Sequence, residues 1–328
     1  MDTQEKTKRF GIWVILCACV LRLLSNPQAV TAWLGDPQNL PFLIYLETGR
    51  DVRFSASEAA FAPHSRESPG PWIPPTEKKL TFSAQDAQLV RVEDDCGLGP
   101  DLGQLMQQPL PWEEPPAVLI LHTHTTESYT PAGEGYKETA RYRTLDEGYN
   151  MLSIGDAVEE VLTAAGIRVI HDRQLHDYPS YNGSYVHARK AAQEILEAHP
   201  EIGLVLDLHR DAAARGSGQL RTEAAAAGQP CAQLMLVVGT NVSRPSHENW
   251  QDNLALGLKL HLLLERAVPG IMRPLDLRRE RFNQDLCPGA LLVEVGAAGN
   301  THAEALAAAR ILGWGILSLL TGEEKNFP

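Results

Sequence analysis

The sequence predicts an α/β fold: a mostly parallel sheet with helices on both faces, preceded by an N-terminal membrane anchor and a weakly structured region. Three observations predict it. From Ala117 onward, short apolar runs alternate with segments of helical periodicity. Such alternation implies crossover connections, which lay strands parallel and helices over the sheet. Before that point, prolines cluster at Pro63, Pro69, Pro71, Pro74 and Pro75, and again at Pro109, Pro111, Pro115 and Pro116, around residues 35–110 that lack periodicity. At the start, Lys6, Lys8 and Arg9 precede the apolar run Phe10 to Leu21, which Arg22 interrupts.

That run is short for a span of about 20 residues. Arg22 can snorkel, however, and Leu23-Leu24 then extend it. No small-residue cleavage site follows, so the expectation is an uncleaved single-pass anchor in the cell membrane, with the basic end inside and the rest exported. Two weaker readings stand beside it: a lipoprotein box at Leu16-Cys17-Ala18-Cys19, and a buried helix of a soluble protein. The expected divisions are 1–34 for the cytoplasmic tip and anchor, 35–115 for the N-terminal region and linker, 116–323 for the enzymatic domain, and 324–328 for a tail.

Within 116–323 the strands are expected at 117–121, 167–171, 203–208, 232–239 and 290–295. Helices are expected at 149–165, 184–198, 249–267 and 302–321, each with apolar residues spaced by three and four. Gly166 supplies a C-terminal cap. Open sheets of this type carry their sites at the carboxyl ends of strands.

Composition narrows the function. The 29 Lys+Arg against 41 Asp+Glu give a formal net charge of −12, with no basic stripe for a nucleic acid. Of 5 cysteines, Cys17 and Cys19 fall in the anchor, while Cys96, Cys231 and Cys287 have neither metal-like spacing nor a framework pattern. A serine nucleophile is unsupported, because no Gly-x-Ser-x-Gly elbow is present.

Three polar islands close predicted strands: His122-Thr123-His124-Thr125-Thr126-Glu127, Asp207-Leu208-His209-Arg210-Asp211 and Glu294-Val295-Gly296. Two imidazoles and a carboxylate form the ligand set of a catalytic zinc ion with one position open. His124, Glu127 and His209 are the expected ligands. His122 is an alternative to His124, since residues two apart on an extended chain point the same way, or it orients a ligand from behind. Each histidine alone is equally compatible with a polar loop or an aspartate-paired imidazole. Glu294 interrupts a buried apolar strand, where an unpaired carboxylate costs several kcal/mol. It is expected to be the general base, the alternative being an ion pair with Arg278 or Arg279. Arg210 is expected to bind a substrate carboxylate, or else to pair with Asp211. Tyr181 and Asn182, in the loop 176–185, are expected to contact sugar or peptide.

These segments, together with His176-Asp177-Tyr178-Pro179-Ser180-Tyr181-Asn182-Gly183-Ser184-Tyr185, resemble stage II sporulation protein P over roughly residues 116–321. The resemblance implies a peptidoglycan hydrolase of endospore-forming bacteria. Its fold would be similar to the zinc N-acetylmuramoyl-L-alanine amidases, of phosphorylase/hydrolase-like type. It would cut the glycan–peptide amide and the peptide cross-link during engulfment, in the space between mother cell and forespore, alongside stage II sporulation proteins D and M. By motif, His124 and His209 match the zinc histidines and Glu294 the catalytic glutamate. The amidase pattern places the carboxylate ligand at Asp146, upstream of Asn150, whereas a His-x-x-Glu arrangement favours Glu127; the glycine-rich first motif of those amidases is absent here. Two rival functions follow from the same residues: a metal-free peptidoglycan-binding module and a zinc peptidase of carboxypeptidase type.

Overall fold

The computed structural model describes residues 79–131, 136–215, 218–243 and 246–325. The expected anchor and first proline cluster therefore lie outside the described residues. The sheet comprises β1 (Val92–Asp94), β2 (Ala117–Leu121), β3 (Val169–His171), β4 (Ile202–Asp211), β9 (Leu234–Gly239), β10 (Leu275–Arg278) and β11 (Ala290–Ala297). Its order is β1-β10-β9-β11-β4-β2-β3. Two hairpins, β5 (Ala214–Arg215) with β6 (Gly218–Gln219) and β7 (Ala224–Ala226) with β8 (Gln229–Cys231), join β4 to β9. The helices are α1 (Leu102–Gln107), α2 (Met151–Ala164), α3 (Ser184–Ala198), α4 (Trp250–Ala267) and α5 (His302–Thr321).

All neighbouring strands run parallel except β9 and β11. The exception has a simple cause. Among the described residues no helix carries the chain back between β4 and β9; the hairpins keep it at the carboxyl edge of β4, and β9 enters from there. The sheet also begins earlier than expected. β1 pairs with β10 in register Val92 with Leu275, so the sheet takes in residues on both sides of the boundary placed at 115/116. Neither strand stood out in the sequence: β1 is a three-residue Val-Glu-Asp, and β10 is a short segment behind Pro274.

Strand alternation assigns each side chain to a face. On one face Val118, Ile120, Leu204, Leu206, Leu208, Val293 and Val295 form the main core with α2, α4 and α5. The opposite face carries Ala117, Leu119, Leu121 and Val205, covered by Ala188 and Ala192 of α3. Asp207 and His209 follow Val205 at two-residue spacing, so they lie on this second, less covered face. Glu294 pairs with His209 across β11 and β4 and shares it. Gly296 follows with φ 72, at a register shift in β11; a Cβ there would meet that of Ala232 at 2.7 Å. Among the described residues, α5 is the helix long and apolar enough to cross a membrane, but 72% of its apolar window is buried inside the protein, where it packs on α2 and α4.

Candidate active site

β2 stops at Leu121, and residues 123–126 form a turn, closed by Glu127 N donating to His124 O at 3.0 Å. The threonines are its clamps. Thr123 donates from its amide and hydroxyl to Asp207 (2.8 and 2.6 Å), and Thr126 does the same to Asp177 (3.1 and 2.7 Å). Because the chain turns here, His122 and His124 diverge, contrary to the expectation from an extended chain. His122 Nδ1 donates to Leu208 O at 3.3 Å and its Nε2 lies 2.8 Å from His171 Nε2, beneath α2. His124 faces the other way, edge-on to His209 with ring centres 5.2 Å apart.

Four of the expected residues meet at this point. His209 Nδ1 lies 3.7 Å from Glu127 Oε2, too far for a hydrogen bond. Two donors about 2.0–2.2 Å from one tetrahedral zinc stand roughly 3.4 Å apart, so this gap is of ligand size. Arg143 Nη2 (3.2 Å) and Arg210 Nη1 (3.4 Å) engage Glu127 on Oε1 and leave Oε2 towards His209 and the Arg210 amide. His124 Nδ1 is buried and has no hydrogen-bond partner among the described residues, as is Glu294 Oε2. His209 Nε2 lies 3.0 Å from Asp207 Oδ1 but is not aligned to bond it. An orphaned imidazole nitrogen, a carboxylate with one oxygen held back by arginines, and a second imidazole at ligand distance together fit a divalent cation.

The electrostatics of the metal-free cluster set its members apart. Burial alone would raise Glu127, but Arg210 and the two histidines hold its carboxyl well below the usual range. Burial lowers His124 to about 4, so its imidazole is neutral and able to ligate. Burial would also depress His209, yet Asp207 and Glu127 hold it well above the ordinary histidine value. Glu294 moves the other way: burial, with the charges of Glu127 and Asp211 opposing His209, pushes it up to about 8. It is half-buried as a residue, but no ion pair holds it among the described residues. Arg278 instead pairs with Asp276.

Other expected residues are placed differently. Arg210 is 5% exposed and spends its donors on Glu127, Ser128 O (3.0 Å) and Tyr142 O (3.1 Å), so it braces the site from behind and offers nothing to a substrate. Its alternative partner, Asp211, pairs with Arg273. Asp146 is exposed and caps Gly148 N at 3.0 Å in the loop before α2, whereas Glu127 is buried beside His209. Tyr181 lies flat on His124 at 4.6 Å with its hydroxyl 3.2 Å from Nε2; Asn182, next to it, is exposed. A separate group, Asp156, Glu159 and His171, brings three metal-capable atoms within 4.8 Å of one another, which the more open cluster at His124 does not. Arg173 pairs with that Asp156.

Two contributors escaped the sequence reading. Arg143 bridges Glu127 and Asp177 and sits 4.7 Å over the Tyr181 ring. A lone loop arginine gives no signal in a single sequence. Tyr185 stands 5.5 Å from His124 and 6.4 Å from His209, ring centre to ring centre. Its spacing of four from Tyr181, at the start of a helix, was the available clue.

The family model described as stage II sporulation protein P matches residues 81–316. The curated "Stage II sporulation protein P" of Bacillus subtilis (strain 168) is 25% identical over 310 residues, covering 87% of this chain and 70% of that protein. Among solved structures, the N-acetylmuramoyl-L-alanine amidase AmiC2 of Nostoc punctiforme is similar with a TM-score of 0.37 at 14% identity, over 62% of this chain and 94% of its own. The CwlD amidase from Clostridioides difficile, in complex with the GerS lipoprotein, has a TM-score of 0.35 at 15% identity, over 62% and 98%.

Proposed function

The chain belongs to the stage II sporulation protein P family, and on that premise we propose that it is a zinc-dependent peptidoglycan hydrolase cutting the N-acetylmuramoyl-L-alanine amide. The observation that carries this reading is the unpartnered Glu294 Oε2 beside a pair of convergent histidines, each with an orphaned nitrogen. Buried polar atoms without partners are costly, and a fold keeps them where they have a task.

His124, Glu127 and His209 would hold the ion. A zinc ion held there would polarise the scissile carbonyl as a Lewis acid and lower the pKa of the attacking water towards about 7. Glu294 takes a proton from that water as its oxygen bonds to the carbonyl carbon. It delivers the proton to the amide nitrogen as the carbon–nitrogen bond breaks. The lactyl side leaves as a carboxylic acid and the stem peptide with a free amino terminus. Arg143 and Arg210 keep Glu127 ionised, and the Asp207–Thr123 clamp fixes the turn that carries His124. Cleavage of peptide cross-links, tethering by the N-terminal segment and work beside stage II sporulation proteins D and M complete the proposal.

Purified protein should bind one zinc per chain and release stem peptides from sacculi. Chelation should abolish release and added zinc restore it. Glu127, already neutralised by two arginines, also favours the reading as a metal-free wall-binding module; that module would sediment with sacculi and contain no zinc. A carboxypeptidase-type enzyme would cut ordinary peptides and ignore the glycan. Either result would overturn the amidase reading.

A further inference from the structure

A cleft of 380 Å³ opens beside Tyr185, lined also by Val186, Arg189, Arg281, Phe282 and Asn283. Tyr185 is common to this cleft and the catalytic cluster, and its other neighbour is Phe282, ring centres 5.9 Å apart. The two arginines are not equivalent. Arg189 grips Asp285 with both nitrogens at 2.8 Å. Arg281 reaches the same carboxylate through Nη1 alone, at 3.0 Å, and its Nε and Nη2 have no partner among the described residues. Those two donors form the parallel fork that matches a carboxylate. Arg189 takes both oxygens of the one aspartate that lies between the two guanidiniums. Glu280, also at the cleft, is exposed and lies near enough to act on Arg278.

The backbone holds the fork in place. Phe282 and Asn283 are successive non-glycine residues in the left-handed region, φ 50 and 59. Residues other than glycine rarely adopt this conformation, and it persists only where the surroundings enforce it. Enforcement comes from Asn283 Nδ2 donating to Tyr185 O at 2.8 Å and Gln284 N donating to Arg281 O at 2.9 Å. Behind Arg281, His247 is fully buried with neither ring nitrogen bonded among the described residues, close enough to feel the charges of Asp285 and Arg281.

We infer that this cleft is the stem-peptide subsite, and that Arg281 binds a free carboxylate of the peptide through Nε and Nη2 while Tyr185 and Phe282 flank its backbone. The inference rests on the proposed amidase function. The substrate class fits: a stem peptide presents several ionised carboxylates, and the amide to be cut must lie at the zinc-side end of the cleft.

The test uses the full zinc-loaded chain and two muramoyl peptides, one with free stem carboxylates and one with the same carboxylates amidated. Arg281→Gln should raise KM for the free form about tenfold, as expected for losing a charge-assisted pair, with kcat within about twofold, and leave KM for the amidated form unchanged. Arg281→Lys, which keeps charge but loses the fork, should fall between. In parallel, calorimetry should show the free tripeptide product binding the wild type about tenfold more tightly than Arg281→Gln. Equal effects on both substrates, or a loss confined to kcat, would overturn the subsite. Should the wild type cut neither muramoyl peptide, the amidase reading fails. Calorimetry then still decides the subsite, upheld by weaker tripeptide binding in Arg281→Gln and overturned by equal binding.

Discussion

Replacing Glu294 by glutamine should destroy activity and strengthen the fold. In the folded, metal-free protein this carboxyl is raised from 4.5 to about 8. A raised carboxyl binds its proton more tightly in the native state, so stability falls as pH climbs from 4.5 through about 8 and is flat above. Each pH unit in that window costs about 1.4 kcal/mol, which at pH 7 gives about 3 kcal/mol. Partial exposure of the residue trims this to about 2 kcal/mol. Glutamine has nearly the same shape and no proton to lose. Chelator-stripped Glu294→Gln should therefore match the wild type in urea unfolding at pH 5 and exceed it by about 2 kcal/mol at pH 7. With zinc restored, stem-peptide release should drop by about 10²–10⁴-fold, the usual contribution of a positioned base. A variant as stable as the wild type at both pH values, or one still fully active, would refute the account of Glu294 as an uncompensated buried carboxyl kept for catalysis.

Two further outcomes test the frame around the site. Lys259 is buried in α4, and burial lowers it to about 8, so its charge weighs on the fold below that pH and the cost is recovered between 8 and 10.5. Leu105 O, one of its acceptors, keeps the Gln108 amide as a partner; Lys259→Met should therefore gain about 3 kcal/mol at pH 7 and little at pH 10.5 by urea unfolding, and equal gains at both would sink the argument. A Cβ on Gly155 would lie 2.5 Å from His171 Nε2 and 2.7 Å from His122 Nε2; Gly155→Ala should lose about 1–2 kcal/mol despite alanine's better helix propensity, and a raised Tm would show that the histidine pair can yield.

The main strands and helices were legible because their apolar periodicity reports burial directly. What stayed hidden lacked that signal. The hairpins between Ala214 and Cys231 have strands of two or three residues, rich in alanine and polar side chains, too short to show alternation. At the site, His124, His209 and Glu294 stood out as polar residues where the pattern demanded apolar ones. His122 departs from the expectation because β2 ends at Leu121 and the chain enters a turn held by distant partners, Asp207 and Asp177 among them, that the local pattern does not reveal. Arg210 was misjudged for the opposite reason. β4 remains extended through Asp211, so the neighbour of an inward His209 must face away from it, and alternation could have said so.

That same alternation separates stability from chemistry along a single strand. Leu204, Leu206 and Leu208 feed the main core beneath α2, while Val205, Asp207 and His209 line the other face, where cover thins towards the carboxyl edge. β11 repeats the scheme with Val293 and Val295 on one side and Leu292 and Glu294 on the other. Unpartnered buried atoms each cost about 1–3 kcal/mol, and His124 Nδ1, His209 Nε2 and Glu294 Oε2 gather at this one place. The fold carries them because the faces are independent: the penalty falls on residues whose strand neighbours are fully buried on the opposite side. Loss of a leucine from β4 should thus unfold the protein without altering its chemistry per folded molecule, and loss of His209 should do the reverse.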